Sequence, residues 1–287
     1  MKFLDLFSGI GGFRLGLEQH GHECVGHVEI DEAANRTYKA MHQPKESEFF
    51  GTDITRIIAS DLPRADIWTF GFPCQDISIA GRKVGMDGER SGLFYAVTSL
   101  IREIETEDRP RILFIENVKN LLSINGGWDF TKLIIELDEI GYDAEWEVIN
   151  SKHHGVPQNR ERLYIVGHLR GTEARSVFPI QKSTNGILKS VQADTSGKGM
   201  KSQQDRFYLS DGIMCCLPKA RAKTKCCVAD REGNLHILTG KERFRLQGFP
   251  DEYIDRAMAV SNEVDMSEQA GNSVTVNVIA AIAERFE

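Results

Sequence analysis

The sequence has no uninterrupted apolar run of membrane-spanning length, and its opening residues (MKFLDLFSGIGG) pass straight into a strand pattern without the charged and apolar regions of a signal peptide. Cysteine is sparse. The six are Cys24, Cys74, the adjacent Cys215 and Cys216, and the adjacent Cys226 and Cys227, which is not the dense framework of a small secreted domain. Neither pair has Cys-x-x-Cys spacing and no histidine lies between them, so a structural zinc site is not expected. Positive charge is also short overall: the net charge of −7 argues against indiscriminate nucleic-acid binding. These absences lead us to expect a soluble cytoplasmic protein with reduced thiols and no metal.

With 287 residues and 41% hydrophobic content, the chain can bury a substantial core in one large domain or two modest ones. Charge is unevenly spread. Between Ile180 and Arg231 ten Lys or Arg face four Asp, a balance of +6 that leaves −13 on the remainder. A phosphate-binding surface would explain this split, as would a solvated lysine-rich loop region.

Lys2 to Phe7 reads as a strand, followed by the glycine loop Ser8-Gly9-Ile10-Gly11-Gly12 and a helix carrying Phe13, Leu17 and His20 on one face. Glycines remove side chains where backbone approaches a ligand, and the helix start offers unpaired N–H groups to a phosphate or a carboxylate. Glycine is absent three residues beyond Gly11, so the loop is not the full dinucleotide fingerprint. His22 to Glu29 alternates like a second strand, and Glu29 stands 18 residues past Gly11, where a carboxylate can accept ribose hydroxyls. Ile30 can cover a base, Asp31 reads as a helix N-cap, and Asp53 in Phe49 to Thr55 ends a third strand. Glu29 and Asp53 are equally readable as surface caps.

Asp66 to Phe70 is a fourth strand, and Gly71 to Ser78 (GFPCQDIS) places Cys74 just past its carboxyl end. In an open parallel sheet that edge binds ligands, whereas a lone cysteine is otherwise a small buried hydrophobe. The glycine-interrupted stretch Gly81 to Gly92 reads as a lid, and a helix follows from about Ser91 to Glu105. Arg111 to Glu116 is a fifth strand, whose terminal carboxylate is a candidate proton donor or a helix cap. Trp128 to Ile140 is helical, and Tyr142 to Asn150 and Arg162 to Gly167 complete seven strands alternating with helices, an α/β sheet. Arg160 and Arg162, at i and i+2, point the same way on extended chain and suit an anionic or carbonyl-bearing substrate. After Leu169 the chain becomes polar and loses periodicity. Lys219, Arg221, Lys223 and Lys225 alternate there as a basic edge facing phosphates.

In order and in type these segments resemble the DNA (cytosine-5)-methyltransferases of bacterial and phage type. DLFSGIGGF, VEID, GTDIT, GFPCQDIS, ENV, QNRER, LTGKERFRLQGFPDEY and QAGNSV are similar to successive motifs of that family. The resemblance implies a Rossmann-like fold, a mixed seven-stranded sheet flanked by helices, in a catalytic domain of residues 1–170 plus 258–287, with a smaller target-recognition domain at 171–257. It implies S-adenosylmethionine as cofactor, held by Phe7, Ser8, Gly9, Gly11, Gly12, Glu29, Ile30, Asp53, Ile54, Phe72, Leu93, Asn272 and Ser273. Cys74 becomes the covalent nucleophile, Glu116 the group at N3 of cytosine, and Arg160 and Arg162 the holders of the base, with Gln75 and Ser78 at the DNA. Ala80 stands where some members carry a second serine. Double-stranded DNA is the implied partner, with base flipping, a monomeric enzyme, and a cognate restriction endonuclease as a functional counterpart. An RNA cytosine-5 methyltransferase or an inactive DNA-binding regulator on the same fold would share many of these motifs.

Overall fold

The computed structural model describes residues 1–72, 92–173, 175–182, 192–193, 207–209, 212–218, 226–230, 232 and 234–286. Runs of branched and aromatic residues form β1 (Lys2–Leu6), β2 (Glu23–Val28), β3 (Phe49–Gly51), β4 (Ile67–Gly71) and β5 (Ile112–Val118), all mutually parallel. The long pair β6 (Tyr142–Asn150) and β8 (Glu161–Leu169) is antiparallel, and β8 also runs antiparallel to β5. The sheet order is β3-β2-β1-β4-β5-β8-β6, so it is a mixed seven-stranded α/β sheet as expected. Strand order reverses between β1 and β4. At such a switch the connections leave in opposite directions and open a crevice at the carboxyl ends.

Period-2 alternation splits the central strands β1, β4, β5 and β8 between two cores. Leu4, Leu6, Trp68 and Phe70 pack on one face with Phe94, Val97 and Ile101 from α3 (Leu93–Glu103) and with Leu133 and Leu137 from α4 (Trp128–Glu139). Here α1 is Gly12–Glu18 and α2 is Glu32–His42. Phe3, Ile67 and Phe114 pack on the other face with Phe13 and Leu17 of α1. The carboxyl-terminal residues Val278, Ile279, Ile282 and Phe286 return to this second core. The chain also keeps to the sheet after Leu169: Glu145 accepts from the Val177 N–H (2.7 Å) and Glu147 from the Ile180 N–H (3.1 Å). Val177 and Ile180 are buried in the second core.

A smaller four-stranded sheet has the order β13-β12-β10-β9, built from β9 (Gln192–Ala193), β10 (Phe207–Leu209), β12 (Cys227–Ala229) and β13 (Leu235–Ile237). Between them β11 (Met214–Cys215) leaves to pair with β7 (Gln158–Asn159) beside the large sheet. The helices α5 (Gly240–Arg245), α6 (Asp251–Met258), α7 (Glu263–Asn272) and α8 (Val276–Ala283) close the chain. A third core joins Met214, Leu217, Phe244 and Phe249 to Ile10 and Leu15 of the glycine loop and α1. Among the described residues no helix is long and apolar enough to cross a membrane.

Two local expectations are corrected. The third strand stops at Gly51 instead of Thr55, because Asp53 accepts hydrogen bonds from the Thr55 N–H (3.0 Å) and hydroxyl (2.6 Å) and turns the chain into a short 3-10 helix. The first helix ends at Glu18, before a left-handed Gly21 (φ 76°), so His20 is exposed and does not share the face of Phe13 and Leu17.

Candidate active site

Most of the singled-out residues converge on one edge of the large sheet. The glycine loop follows β1, Glu29 follows β2, Asp53 follows β3, and Phe72 follows β4. Glu116 lies near the end of β5. Because β8 is reversed, its beginning reaches the same edge: Arg162 pairs with Val118, and Tyr164 with Glu116.

The glycine loop is held by backbone geometry. Phe7 (φ 55°), Gly9 (φ 56°) and Gly11 (φ 80°) all take left-handed conformations, and the Gly11 N–H donates to Ser8 O at 2.8 Å. A non-glycine residue in that region is strained, and such strain clusters at ligand sites. Glu29 receives the Gly9 N–H (2.7 Å) and the Asp31 N–H (2.8 Å), so the acidic strand end braces the loop directly. A Cβ built on Gly9 meets nothing within 4 Å, and buried Ser8 Oγ has no partner. Ile30 beside them is a large apolar side chain that is 68% exposed. These features suit a ligand with a flat ring and a polar tail, as a nucleoside cofactor has. Ser273 is buried, its hydroxyl on Val274 O at 3.1 Å, and Asn272 is exposed. Gly12 makes room for both Ser273 and Val274, whose atoms a Cβ would meet at 2.7–3.1 Å.

Other expected cofactor residues stand further into the protein. Ile54 is 4% exposed within the first core, Phe72 is 5% exposed against Phe94, and Leu93 packs on the same core. Asp53 is occupied locally by Thr55 and by Arg56 at 3.3 Å, and its pKa is lowered chiefly by the Thr55 hydrogen bonds. Asn117, the middle residue of the ENV motif, was given no role of its own; it donates its side-chain amide to Phe72 O at 2.9 Å and ties β5 to the segment leading to Cys74.

Around Glu116 the charges are arranged asymmetrically. Arg162 Nε lies 3.1 Å from Glu116 Oε1, a close ion pair whose angles are not those of an aligned hydrogen bond, so Oε1 keeps no hydrogen-bonding partner. Burial disfavours the Arg162 cation, but Glu116 and then Cys216 reverse the effect and hold its pKa above the ordinary value. Arg160 is buried more deeply and donates to Gly271 O and Ser273 O, the latter at 2.6 Å. Burial and then repulsion from Arg162 push its pKa down. The expectation that the two arginines point the same way holds: Arg160 Nη1 and Arg162 Nη2 both reach Cys216 Sγ, at 3.4 and 3.6 Å. They differ in employment, since Arg160 ties the 271–273 backbone down while Arg162 faces the carboxylate. Gly71 pairs with Glu116, and a Cβ there would meet Glu116 Oε2 at 3.4 Å, so glycine leaves space for the carboxylate.

Sequence reasoning did not place Cys216 here. Its arrival depends on β11 pairing with β7, an arrangement secured by fully buried Gln158, which accepts the Leu217 N–H (3.0 Å) and donates to Leu246 O (2.8 Å). Nothing local in the sequence signals that pairing. Cys74, Gln75, Ser78, the proposed lid, Lys219, Arg221, Lys223 and Lys225 lie outside the described residues. Among the described residues no group of His, Cys, Asp and Glu could hold a metal ion.

The model of the C-5 cytosine-specific DNA methylase family matches residues 1–229 and 217–287. The Type II methyltransferase M1.ScrFI of Lactococcus lactis subsp. cremoris is 33% identical over 324 residues, covering 99% of this chain and 77% of its own. M.HhaI of Haemophilus parahaemolyticus, another Type II methyltransferase, is 30% identical over 99% of this chain and 93% of its own. Two solved structures share the fold: S. pombe Dnmt2 methyltransferase (TM-score 0.72, 20% identity, 98% of this chain and 96% of that one) and Entamoeba histolytica methyltransferase EhMeth (TM-score 0.74, 21% identity, 99% and 97%). A family model that spans the chain, together with relatives that align along nearly all of it, supports one conclusion: the chain belongs to the C-5 cytosine-specific DNA methylase family and is a DNA (cytosine-5)-methyltransferase.

Proposed function

We propose that the enzyme transfers a methyl group from S-adenosylmethionine to C5 of a cytosine extruded from a specific double-stranded DNA sequence, through a covalent bond between Cys74 and C6. The observation that carries this reading is the Glu116–Arg162 pair, held on strands beside the end of β4, three residues before Cys74. S-adenosylmethionine supplies an electrophilic methyl group when bound; the open face of Gly9, unpartnered Ser8, Glu29 and exposed Ile30 are suited to hold its nucleoside and polar tail.

Cytosine C5 is a poor nucleophile in the intact aromatic ring. Addition of the Cys74 thiolate forms an S–C6 bond, and the C5=C6 electron pair moves to C5, with negative charge shared at N3. Protonation or hydrogen bonding by Glu116 at N3 offsets that charge. Arg162 holds the pyrimidine carbonyl and keeps Glu116 in place, while Arg160 fixes the backbone that frames the pocket. Once C5 carries the methyl group, its proton passes to water, the freed pair re-forms C5=C6 as the thiolate departs, and any proton given to N3 returns to Glu116. A thiol can meet the ring face only if the base leaves the duplex, at a cost of a few kcal/mol. The recognition domain, including Lys219, Arg221, Lys223 and Lys225, supplies compensating phosphate contacts in this scheme, and Gln75 and Ser78 border the DNA. We place the catalytic domain at 1–170 plus 258–287 and recognition at 171–257, in a cytoplasmic monomer that protects DNA from a cognate endonuclease.

The test is radiolabelled methyl transfer to duplex DNA and to tRNA, followed by bisulfite sequencing of DNA from an expressing host. Label in 5-methylcytosine at one duplex sequence is expected. Labelling of tRNA alone, or of neither nucleic acid, overturns the proposal.

A further inference from the structure

The glycine loop has two unlike faces. Gly9 opens on free space, whereas a Cβ on Gly11 would meet His42 Nε2 at 2.2 Å, His42 Cδ2 at 2.8 Å and Tyr38 Cε2 at 2.9 Å. The closed face is thus filled by the last residue of α2. His42 Nε2 lies 2.9 Å from Ile10 O, the carbonyl at the crown of the loop. A carbonyl oxygen only accepts, so Nε2 must carry the hydrogen.

The ring is itself fixed. It packs against Tyr38 (centroids 4.7 Å apart) and against Tyr253 of α6 (5.5 Å), joining α2, the loop and α6. Nδ1 is buried without a partner. Burial, opposed by the Ile10 bond and reinforced by Arg14, His27 and Arg256, drives the imidazole pKa down to about 3. The ring is therefore a neutral Nε2–H tautomer with an idle Nδ1.

With two left-handed glycines, Ser8 to Gly12 has many conformations open to it, and fixing each residue costs conformational entropy. We propose that His42 is a positioning residue for cofactor binding, whose Nε2–H to Ile10 O holds the glycine loop with its Gly9 face open to S-adenosylmethionine. This rests on the cofactor reading above. His42 touches neither cofactor nor substrate; it acts through the backbone of the loop, and no local motif marks it.

Two variants separate the donor from the ring. His42→Phe keeps a stacking ring and removes the donor; His42→Gln loses the ring and keeps an N–H within reach. Calorimetric titration of the full chain with S-adenosylmethionine, without DNA, is expected to show His42→Phe binding about 5- to 10-fold more weakly, as for one lost hydrogen bond, and His42→Gln within about 3-fold of wild type. The turnover number at saturating cofactor is expected to stay near wild type in both, placing the effect in KM. Without any variant, imidazole 15N chemical shifts are expected to show the neutral Nε2–H tautomer from pH 5 to 9. Wild-type affinity in His42→Phe, equal loss in both variants, or a protonated or Nδ1–H ring overturns the inference. A wild-type protein that binds no S-adenosylmethionine overturns the cofactor reading and this inference with it.

Discussion

Glu116 and Arg162 meet diagonally across an antiparallel strand pair: Glu116 stands opposite Tyr164, and Arg162, two residues earlier on β8, turns its Nε to within 3.1 Å of the carboxylate. Both side chains are largely buried, at 12% and 16% exposure, so neither is readily replaced by water. Replacing the carboxyl while keeping its shape tests the role proposed for Glu116 at N3. Glu116→Gln is expected to lower single-turnover methyl transfer by about 100-fold or more, the range of a lost general acid, with circular dichroism unchanged. A rate within threefold of wild type would remove Glu116 from the chemistry.

Cys74 is placed by sequence alone, three residues past β4. Cys74→Ser should retain DNA binding in a gel-shift assay and lose methyl transfer by at least about 1000-fold, as for other removed nucleophiles. Full activity in that variant would end the covalent mechanism.

Asp5 makes stability depend on pH. It is fully buried, accepts the Thr69 hydroxyl at 2.9 Å, and leaves Oδ2 without a partner; burial pushes its pKa up to about 8 from 3.8. The folded state therefore holds a proton that the unfolded chain has released. Its stabilising contribution is full below 3.8 and is lost as pH rises through about 8. Relative to Asp5→Asn, the wild type should lose up to about 1.4 kcal/mol per pH unit between pH 6 and 8, then level off. Urea midpoints of the two proteins across pH 6 to 9 measure this; parallel curves would refute it.

Gly16 lets α1 lie against α8: a Cβ there would meet Ile279 Cβ and Cγ2 at 2.7 Å. Alanine favours the helix by about 1 kcal/mol, but overpacking the contact costs about 1–3 kcal/mol. Gly16→Ala is expected to lower the urea midpoint and to leave methyl transfer at low temperature intact. An unchanged or raised midpoint would show that the helices separate freely.

The seven strands and their order along the chain were legible because most are runs of branched and aromatic residues closed by glycine or polar turns and β2 alternates, both local properties. The same holds for the glycine loop and Glu29, since turn chemistry and strand ends are written over a few residues, whereas residues 73–78 of the GFPCQDIS motif lie outside the described residues. Asp53 was misjudged at the backbone level for an equally local reason, its bond to Thr55.

Other features required the closed fold. Period and propensity identify strands but not their neighbours, so neither the reversal of β8 that brings Arg162 to Glu116 nor the β7–β11 pairing that delivers Cys216, 56 and 54 positions from Arg160 and Arg162, could be read from the sequence. The same is true of His42, 32 residues from the carbonyl it holds. The sequence by itself determined the family, the elements and the candidate chemistry, because these reside in short contiguous motifs. Tertiary structure alone decided which arginine faces the carboxylate, which holds backbone, and what braces the loop, because those assignments depend on burial and long-range pairing.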